Sequence, residues 1–210
     1  MKNKFLIPAI LLLVFNFTNL TLSAQKTVVI GAQTWTTKNL DVTKFRNGDK
    51  IPEAKTQKEF DTYGAAGEPA WCYLDFNKDN GKKYGKLYNW YAVNDSRGLA
   101  PSGYHIPSDI EWSTLVEFLG GLKVAGIKLK AAYGWRDSGN GTNSSGFSAL
   151  PSAGYGNALA YFWTSTEREE MDVNVKFTHA WYYSLYFSSG LILPEVIQKF
   201  YGLAVRCVKN

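Results

Sequence analysis

Side chains able to perform acid–base or nucleophilic catalysis are scarce in this sequence. Its 210 residues include two histidines, His105 and His179, and two cysteines, Cys72 and Cys207. A catalytic nucleophile needs a neighbouring base that a third group orients, and no serine or cysteine motif stands near His105. We therefore expect His105 to be a hydrogen-bonded structural residue and the protein not to be an enzyme.

One polar loop carries oxygen ligands in alternation, namely Asp75, Asn77 and Asp79. Calcium binds carboxylate and carbonyl oxygens of this kind. The pattern is not that of an EF-hand, because the twelfth position counted from Asp75 is Lys86 rather than a glutamate. Calcium is therefore the only cofactor that the sequence suggests, and the alternative is a solvated turn rich in Asp and Asn.

The first residues indicate the compartment. Lys2 and Lys4 precede an apolar run at 5–15, and the segment closes with the small residues Ser23 and Ala24. A basic start, an apolar centre and small residues before a polar one are typical of a cleavable signal peptide. A membrane anchor needs about 20 continuous apolar residues, and this run is shorter. We expect a signal peptide at 1–24 and a secreted, periplasmic or cell-surface protein.

No cysteine lies near the expected cleavage site, so lipid attachment there is not expected. Removal of Lys2 and Lys4 takes two positive charges from the formal net charge of +5, and the remaining charges are interspersed. Such a pattern indicates a solvated surface rather than a nucleic-acid partner. No later stretch is long and apolar enough to span a membrane. Residues 25–210 are expected to form a single domain.

Cys72 and Cys207 both belong to this expected domain. In an oxidising compartment an even number of cysteines favours a disulfide. Closing so long a loop would stabilise the fold by about 4–5 kcal/mol on the chain-entropy model. Two buried free thiols are the alternative.

The elements that must position these side chains are short and rich in aromatic residues. Ser108 and Glu111 have the spacing of a capping box and predict a helix that ends at Gly120-Gly121. A second, shorter helix is predicted at 124–132, a loop with a helical turn at 53–68, and a long ordered loop at 134–156. Strands are predicted at 27–30, 33–37, 70–74, 161–166, 180–187 and 202–208, and 87–93 fits either a strand or a short helix.

Aromatic side chains in and after the long loop are the candidate ligand contacts. Aromatic faces flanked by polar side chains suit sugars or peptide segments. The candidates are Trp135, Arg136, Tyr155, Trp163 and Trp181. For Trp163 and Trp181 a position in the core is the stronger alternative, so Trp135, Arg136 and Tyr155 are the better surface candidates.

A set of short motifs occurs along the chain in a fixed order. They include Ile30-Gly31-x-Gln33-x-Trp35, Tyr84-Gly85-x-Leu87-Tyr88-Asn89-Trp90, Pro101-Ser102-Gly103-Tyr104-His105-Ile106-Pro107, Gly146-Phe147-Ser148-Ala149-Leu150-Pro151, Phe162-Trp163-Thr164-Ser165 and Val205-Arg206-Cys207-Val208. In this order and spacing the sequence resembles the Fibrobacter succinogenes major paralogous domain family over about residues 28–209.

This resemblance implies an exported or surface-attached bacterial protein, of a kind often found in Bacteroidetes, with no established biochemical activity. It also implies a compact α+β domain similar to the C-type lectin-like fold, which the formylglycine-generating enzymes share. Such a domain has mostly antiparallel short strands, one or two helices and a long structured loop region. This chain departs from the family pattern at Ala100, where many members carry a cysteine, and at Tyr104, where tryptophan is usual.

Neither known activity of that fold transfers to this chain. The formylglycine-generating enzymes use a closely spaced cysteine pair near the chain end, where this chain has only Cys207. The calcium-binding triplets of sugar-binding C-type lectins are missing, since Glu68-Pro69-Ala70 lacks the required amide side chain. We therefore expect an exported binding or surface-interaction module for an extracellular glycan or protein. The alternatives are an enzyme of this fold that uses His105 and a structural surface or fimbria-associated subunit.

Overall fold

The structure is a computed structural model that describes residues 26–153, 156–169 and 178–210. The expected signal peptide at 1–24 and the candidate contact Tyr155 lie outside these residues. Within them the fold mixes α and β structure, with mostly antiparallel strands in three small sheets and few helices. The coarser prediction, short antiparallel strands combined with few helices, is therefore confirmed.

The strands and α-helices are numbered in chain order, and two single turns of 3₁₀ helix lie at Leu74–Phe76 and Lys78–Asn80. The numbered elements are β1 (Thr27–Ile30), β2 (Gln33–Thr36), α1 (Gln57–Ala66), β3 (Trp71–Cys72), α2 (Gly81–Tyr84), β4 (Leu87–Tyr88), α3 (Trp90–Val93), β5 (Tyr104–His105), α4 (Asp109–Phe118), α5 (Ala125–Leu129), β6 (Leu159–Glu167), β7 (His179–Tyr186), β8 (Ile192–Gln198) and β9 (Val208–Lys209).

The first sheet brings the early and late parts of the described chain together. Its strands lie in the order β1-β2-β9-β5, and each adjacent pair is antiparallel. The predicted hairpin of β1 and β2 is confirmed, with Gly31 in its turn at a φ of 60°, which glycine adopts without strain. Trp35 on β2 is paired with Val28 on one side and Val208 on the other, and it is fully buried.

The largest sheet has the order β6-β7-β8, and its strands are antiparallel. The predicted strands at 161–166 and 180–187 are confirmed as parts of β6 and β7. The strand predicted at 202–208 is reduced to isolated bridges at Leu203 and Ala204 and the two residues of β9. Strand β8 was not predicted, because Pro194 lies in its middle; proline is tolerated here since β8 is an edge strand.

Asn89 resolves the predicted ambiguity at 87–93. Strand β4 pairs with β3 in the third sheet, and helix α3 begins directly after Asn89. The buried Asn89 side chain accepts a hydrogen bond from the Ala92 backbone at 3.1 Å and another from Ala70 at 3.0 Å. It also donates to the Glu68 carbonyl at 2.8 Å. One amide side chain thus ends a strand, caps a helix and attaches a neighbouring segment.

The capping box predicted for helix α4 is confirmed. The Ser108 hydroxyl accepts from the Glu111 backbone at 3.3 Å, and the Glu111 carboxylate accepts from the Ser108 backbone at 2.8 Å.

The second predicted helix is shorter than expected, at Ala125–Leu129. The loop with a helical turn predicted at 53–68 is instead mostly the ten-residue helix α1. Thr56 caps this helix, since its hydroxyl accepts a hydrogen bond from the Glu59 backbone N–H.

Trp112 of helix α4 is the centre of the aromatic core. Its ring stacks on Tyr183 with centroids 5.0 Å apart and meets Trp35 edge-on at 4.8 Å. Phe147 from the long loop lies 5.7 Å away and Phe162 from β6 lies 5.6 Å away. These contacts join two sheets, a helix and a loop, and each such pair adds about 0.5–1.5 kcal/mol beyond its buried area.

The two cysteines are free in this structure, so the predicted disulfide is wrong and the alternative of two buried thiols holds. They belong to different clusters of the core: Cys72 packs in the cluster around Trp112, and Cys207 in the cluster around Trp163. Burial raises the pKa of Cys72 to about 12. Burial also raises the pKa of Cys207 to about 12, although the charge of Arg206 opposes the shift.

In the part of the chain that the structure describes, no helix combines the length and apolar character needed to cross a bilayer.

Free, buried thiols lead to a direct chemical prediction. Iodoacetamide at pH 8 should modify neither cysteine in the folded protein, because almost no thiolate forms at a pKa of about 12. After unfolding in guanidinium without a reductant, both cysteines should be alkylated, as two mass increments in intact-protein mass spectrometry. An unfolded, unreduced protein that takes up no label would show that the two cysteines are bonded.

Candidate functional site

Two of the candidate ligand contacts are core residues. Trp135 is 5 % exposed, and its indole N–H donates to the Ala149 carbonyl at 3.0 Å. Trp163 is 0 % exposed, and its indole N–H donates to the Tyr88 carbonyl at 2.8 Å. Neither ring presents a face to solvent, so both indoles serve packing in this structure.

The remaining described candidates lie apart from one another. The exposed Arg136 covers the Phe187 ring, with its guanidinium carbon 4.3 Å from the ring centre, and donates to Asp137 at 2.8 Å. Trp181 is half-buried on β7 and lines a cavity of about 230 Å³ that also includes Asp109 on helix α4. The structure does not bring the four described candidates together in one site, and a ligand role for the five predicted contacts stays a prediction.

The loop proposed for calcium is held by its own hydrogen bonds. The Asn77 side chain accepts from the backbone N–H of Asp79 at 3.0 Å, as in an Asx turn. The Asn80 side chain donates to the Leu74 carbonyl at 2.9 Å. Asp75, Asn77 and Asp79 are exposed. Within the described ranges, no group of three or more His, Cys, Asp or Glu side chains is arranged to hold a metal ion.

His105 is engaged on both sides of its ring. Its Nε2 lies 2.6 Å from a Glu111 carboxylate oxygen, and its Nδ1 lies 2.8 Å from the Asn210 side-chain oxygen. Burial on its own would lower the pKa of His105. The hydrogen bonds of its ring to the Glu111 and Asn210 side-chain oxygens, together with the negative charge of Glu111, have a larger effect and raise the pKa. His105 thus links β5 to the start of helix α4, as expected for a structural histidine.

The strongest electrostatic feature is the buried guanidinium of Arg206. Its Nε donates to the Asn39 side chain at 2.7 Å, and its Nη1 donates to the carbonyls of Thr36 and Phe147, each at 2.8 Å. Its Nη2 donates to the Ser148 carbonyl at 3.2 Å. All four acceptors are uncharged. The side chain is 2 % exposed, and burial lowers its pKa to about 9.

Arg206 lines a cavity of about 430 Å³, which we call the basic cavity. The exposed lysines Lys38, Lys82 and Lys83 also line it. None of the three forms an ion pair with a described residue. Of the described lining residues, Asp41 alone carries a carboxylate, and it already pairs with the buried ammonium of Lys86. The basic cavity therefore has an excess of positive charge.

The backbone around the basic cavity is shaped by a glycine. Gly85 has a φ of 72°, and a Cβ there would lie 2.8 Å from the Leu40 carbonyl oxygen. Any larger residue would therefore force apart the 39–41 and 81–85 segments, both of which line the cavity. The Asn39 side chain also ties the two segments by donating to the Tyr84 carbonyl at 2.8 Å.

The sequence analysis did not identify the basic cavity. Its lysines lie at 38, 82 and 83, far from Arg206 in sequence, and they do not belong to a run of five like charges. One signal was present: Arg206 interrupts the apolar run Leu203-Ala204-Val205 and Cys207-Val208. A charge inside a segment with the pattern of a buried strand must find several acceptors or an anion.

A comparison with protein-family models finds that the Fibrobacter succinogenes major domain matches residues 28–209. The matched range agrees with the resemblance that the ordered motifs gave. No curated protein and no solved structure matches the chain.

The His105–Glu111 pair predicts a pH dependence of stability. Because folding raises the pKa of His105, its contribution is complete below the unfolded pKa of about 6.5 and is lost as pH rises through the folded value. The free energy of unfolding should fall between pH 6 and pH 9, by less than about 1 kcal/mol because the pair is partly exposed. Urea denaturation across this range measures it.

Two substitutions test the assignment of this effect. His105→Gln and Glu111→Gln should both flatten the pH profile, although Gln at 111 can still complete the capping box. If the slope between pH 6 and pH 9 survives in both variants, the ion pair is not its source.

Proposed function

This chain belongs to the Fibrobacter succinogenes major domain family, and we propose that it is an exported, non-catalytic binding module that holds an acidic sugar in the basic cavity. The observation that carries the proposal is Arg206, a buried cation whose bonded acceptors are all uncharged. One of the two N–H groups on Nη2 has no acceptor among the described residues. A bound anion would supply both the acceptor and the missing charge.

The energetics favour an anion as the occupant. A buried charge that lacks a counter-ion is penalised by several kcal/mol in effective terms, and an oppositely charged partner offsets that penalty. Charge-assisted hydrogen bonds are about twice as strong as those between neutral groups. The lining offers one N–H of Arg206 and three lysine ammoniums as partners for a carboxylate or sulfate group.

The remaining lining suits a sugar. Thr37, Asn39 and Ser148 supply polar groups, and the 63 % exposed Tyr133 supplies an aromatic face. Sugars combine hydroxyl groups with apolar ring faces, which stack on such side chains. A cavity of about 430 Å³ is within the range of small-ligand sites and large enough for a sugar residue with its acidic group.

Binding is favoured over catalysis at this site. The described residues of the lining include no histidine or cysteine, and the Asp41 carboxylate is already paired with Lys86. His105, the residue on which an enzymatic alternative depends, does not line the basic cavity, and both of its ring nitrogens are engaged.

The proposal includes export and a C-type lectin-like fold. Export rests on the signal-peptide pattern at 1–24, and N-terminal sequencing of the protein from the periplasm or medium should find Gln25 first. The lectin-like fold is supported by the small antiparallel sheets, the few helices and the ordered loop from residue 134. An experimental structure whose strand order differs from that of C-type lectin-like domains would contradict it.

The test of the binding site compares an oligogalacturonate with its methyl ester, which has the same rings without the charges. Isothermal titration should detect the acid and not the ester, with affinity that falls as salt rises. Lys82→Gln with Lys83→Gln should weaken binding about tenfold, since two exposed ion pairs contribute up to about 1 kcal/mol each.

The control is Lys44→Gln with Lys50→Gln, which makes the same charge change on exposed lysines outside the cavity. This variant should bind like the unmodified protein. Equal weakening by both pairs would show that net charge rather than the basic cavity attracts the ligand. Equal binding of the acid and the ester would contradict the proposal.

A further inference from the structure

A second cavity, of about 230 Å³, has an aromatic lining, and we call it the aromatic cavity. Its aromatic residues are Phe60 on helix α1, Tyr73 and Phe76 after β3, and Phe200 and Tyr201 after β8. The rings of Phe200 and Tyr201 stack with centroids 4.8 Å apart, and Tyr201 is 44 % exposed. The aromatic faces therefore come from three segments that are distant in sequence.

Among the residues that the structure describes, those lining the aromatic cavity include acidic side chains and no basic one. Asp61 on helix α1 accepts a hydrogen bond from Gln57 at 2.8 Å. The exposed Asp75 has no ion pair or hydrogen bond to its side chain among the described residues. The nearby ammonium of Lys86, 5.3 Å from the Tyr73 ring centre, is neutralised by Asp41. The cavity therefore attracts positive charge, in contrast to the basic cavity.

The backbone holds two of these lining residues in an unusual conformation. Asp75 and Phe76 are consecutive, and both have a φ of 54°. The left-handed region costs a residue other than glycine about 1–2 kcal/mol, and for a bulky side chain such as Phe76 it is an outlier. Hydrogen bonds from Phe76 to the Tyr73 carbonyl and from Asn77 to the Leu74 carbonyl fix this turn. The turn brings a carboxylate and an aromatic ring to the same cavity.

Elsewhere in the protein, aromatic rings next to carboxylates contact cationic side chains. The ammonium of Lys199 lies 4.5 Å from the Trp90 ring centre and pairs with Glu167. The guanidinium of Arg97 lies 4.2 Å from the Phe45 ring centre and pairs with Asp95 and Asp49. In each case an aromatic face and a carboxylate hold one cation. The aromatic cavity offers the same pair of groups, and among the described residues no basic side chain lines it.

We propose that the aromatic cavity binds the cationic end of an arginine or lysine side chain from a partner protein. Its volume lies below the range of about 300–1,000 Å³ typical of whole small-molecule sites, so one side chain fits better than a larger ligand. The aromatic rings accept the aliphatic stem and the face of the cation, and Asp75 and Asp61 supply the counter-charge. This site is independent of the proposed sugar site.

The test uses two short peptides on the purified protein, Gly-Gly-Arg-Gly-Gly and the same peptide with citrulline in place of arginine. Citrulline keeps the shape of the side chain and removes its charge. In a nuclear magnetic resonance titration the arginine peptide should shift the backbone signals of Tyr201 and Gly202 saturably at millimolar concentration. The citrulline peptide should bind at least tenfold more weakly.

Two single substitutions test whether the arginine peptide binds at the aromatic cavity. Asp75→Asn should weaken binding of the arginine peptide about fivefold, whereas Asp79→Asn, in the same polar loop but outside the lining, should not change it. Equal binding of the two peptides, no saturable shift in the unmodified protein, or equal effects of the two variants would each overturn the proposal. The peptide comparison needs no substitution and therefore stands if Asp75→Asn disturbs the loop.

Discussion

The guanidinium of Arg206 joins parts of the chain that are far apart in sequence. It donates to the end of β2 at Thr36, to Asn39, and to Phe147 and Ser148 in the long loop. Its own segment continues directly into β9, so these bonds hold the first sheet against the loop. The Phe147 and Phe162 rings lie 4.5 and 5.7 Å from the guanidinium carbon. The aromatic core, the ordered loop and the basic cavity therefore all depend on one buried cation.

The same device recurs elsewhere in the fold. Lys130 is 2 % exposed and donates to the carbonyls of Tyr186, Phe187 and Ser189. Its ammonium lies 5.2 Å from the Trp135 ring centre, and burial lowers its pKa. Lys86 lies over Trp71 and pairs with Asp41. A chain with short strands and long connections leaves many carbonyls outside regular structure, and each must be satisfied. Long cationic side chains carry several donors and satisfy carbonyls from separate segments at once.

Local signals in the sequence were enough for some elements and not for others. Helix α4 was predictable because Ser108 and Glu111, which form its capping box, are only three residues apart in sequence. Helix α1 has the same spacing in Thr56 and Glu59, but it buries only Phe60 and Gly64, so its apolar periodicity is weak. Trp135 was predicted as a surface contact, and for Trp163 the core was the stronger alternative. The sequence could not place either indole, because their acceptors, Ala149 and Tyr88, lie 14 and 75 residues away. The basic cavity could not be predicted, since its charges meet only when Arg206 ties the distant segments together.

The central claim is that the Arg206 guanidinium, held by uncharged acceptors, receives the anionic group of a ligand through its remaining Nη2 hydrogen. Nuclear magnetic resonance of the guanidinium nitrogens and hydrogens, recorded with and without oligogalacturonate, tests this claim most directly. The account predicts a downfield shift of one Nη2 hydrogen on binding, while the Nε and Nη1 signals that report the bonds to Asn39, Thr36 and Phe147 stay in place. Saturating binding that leaves every Arg206 signal unchanged would contradict it.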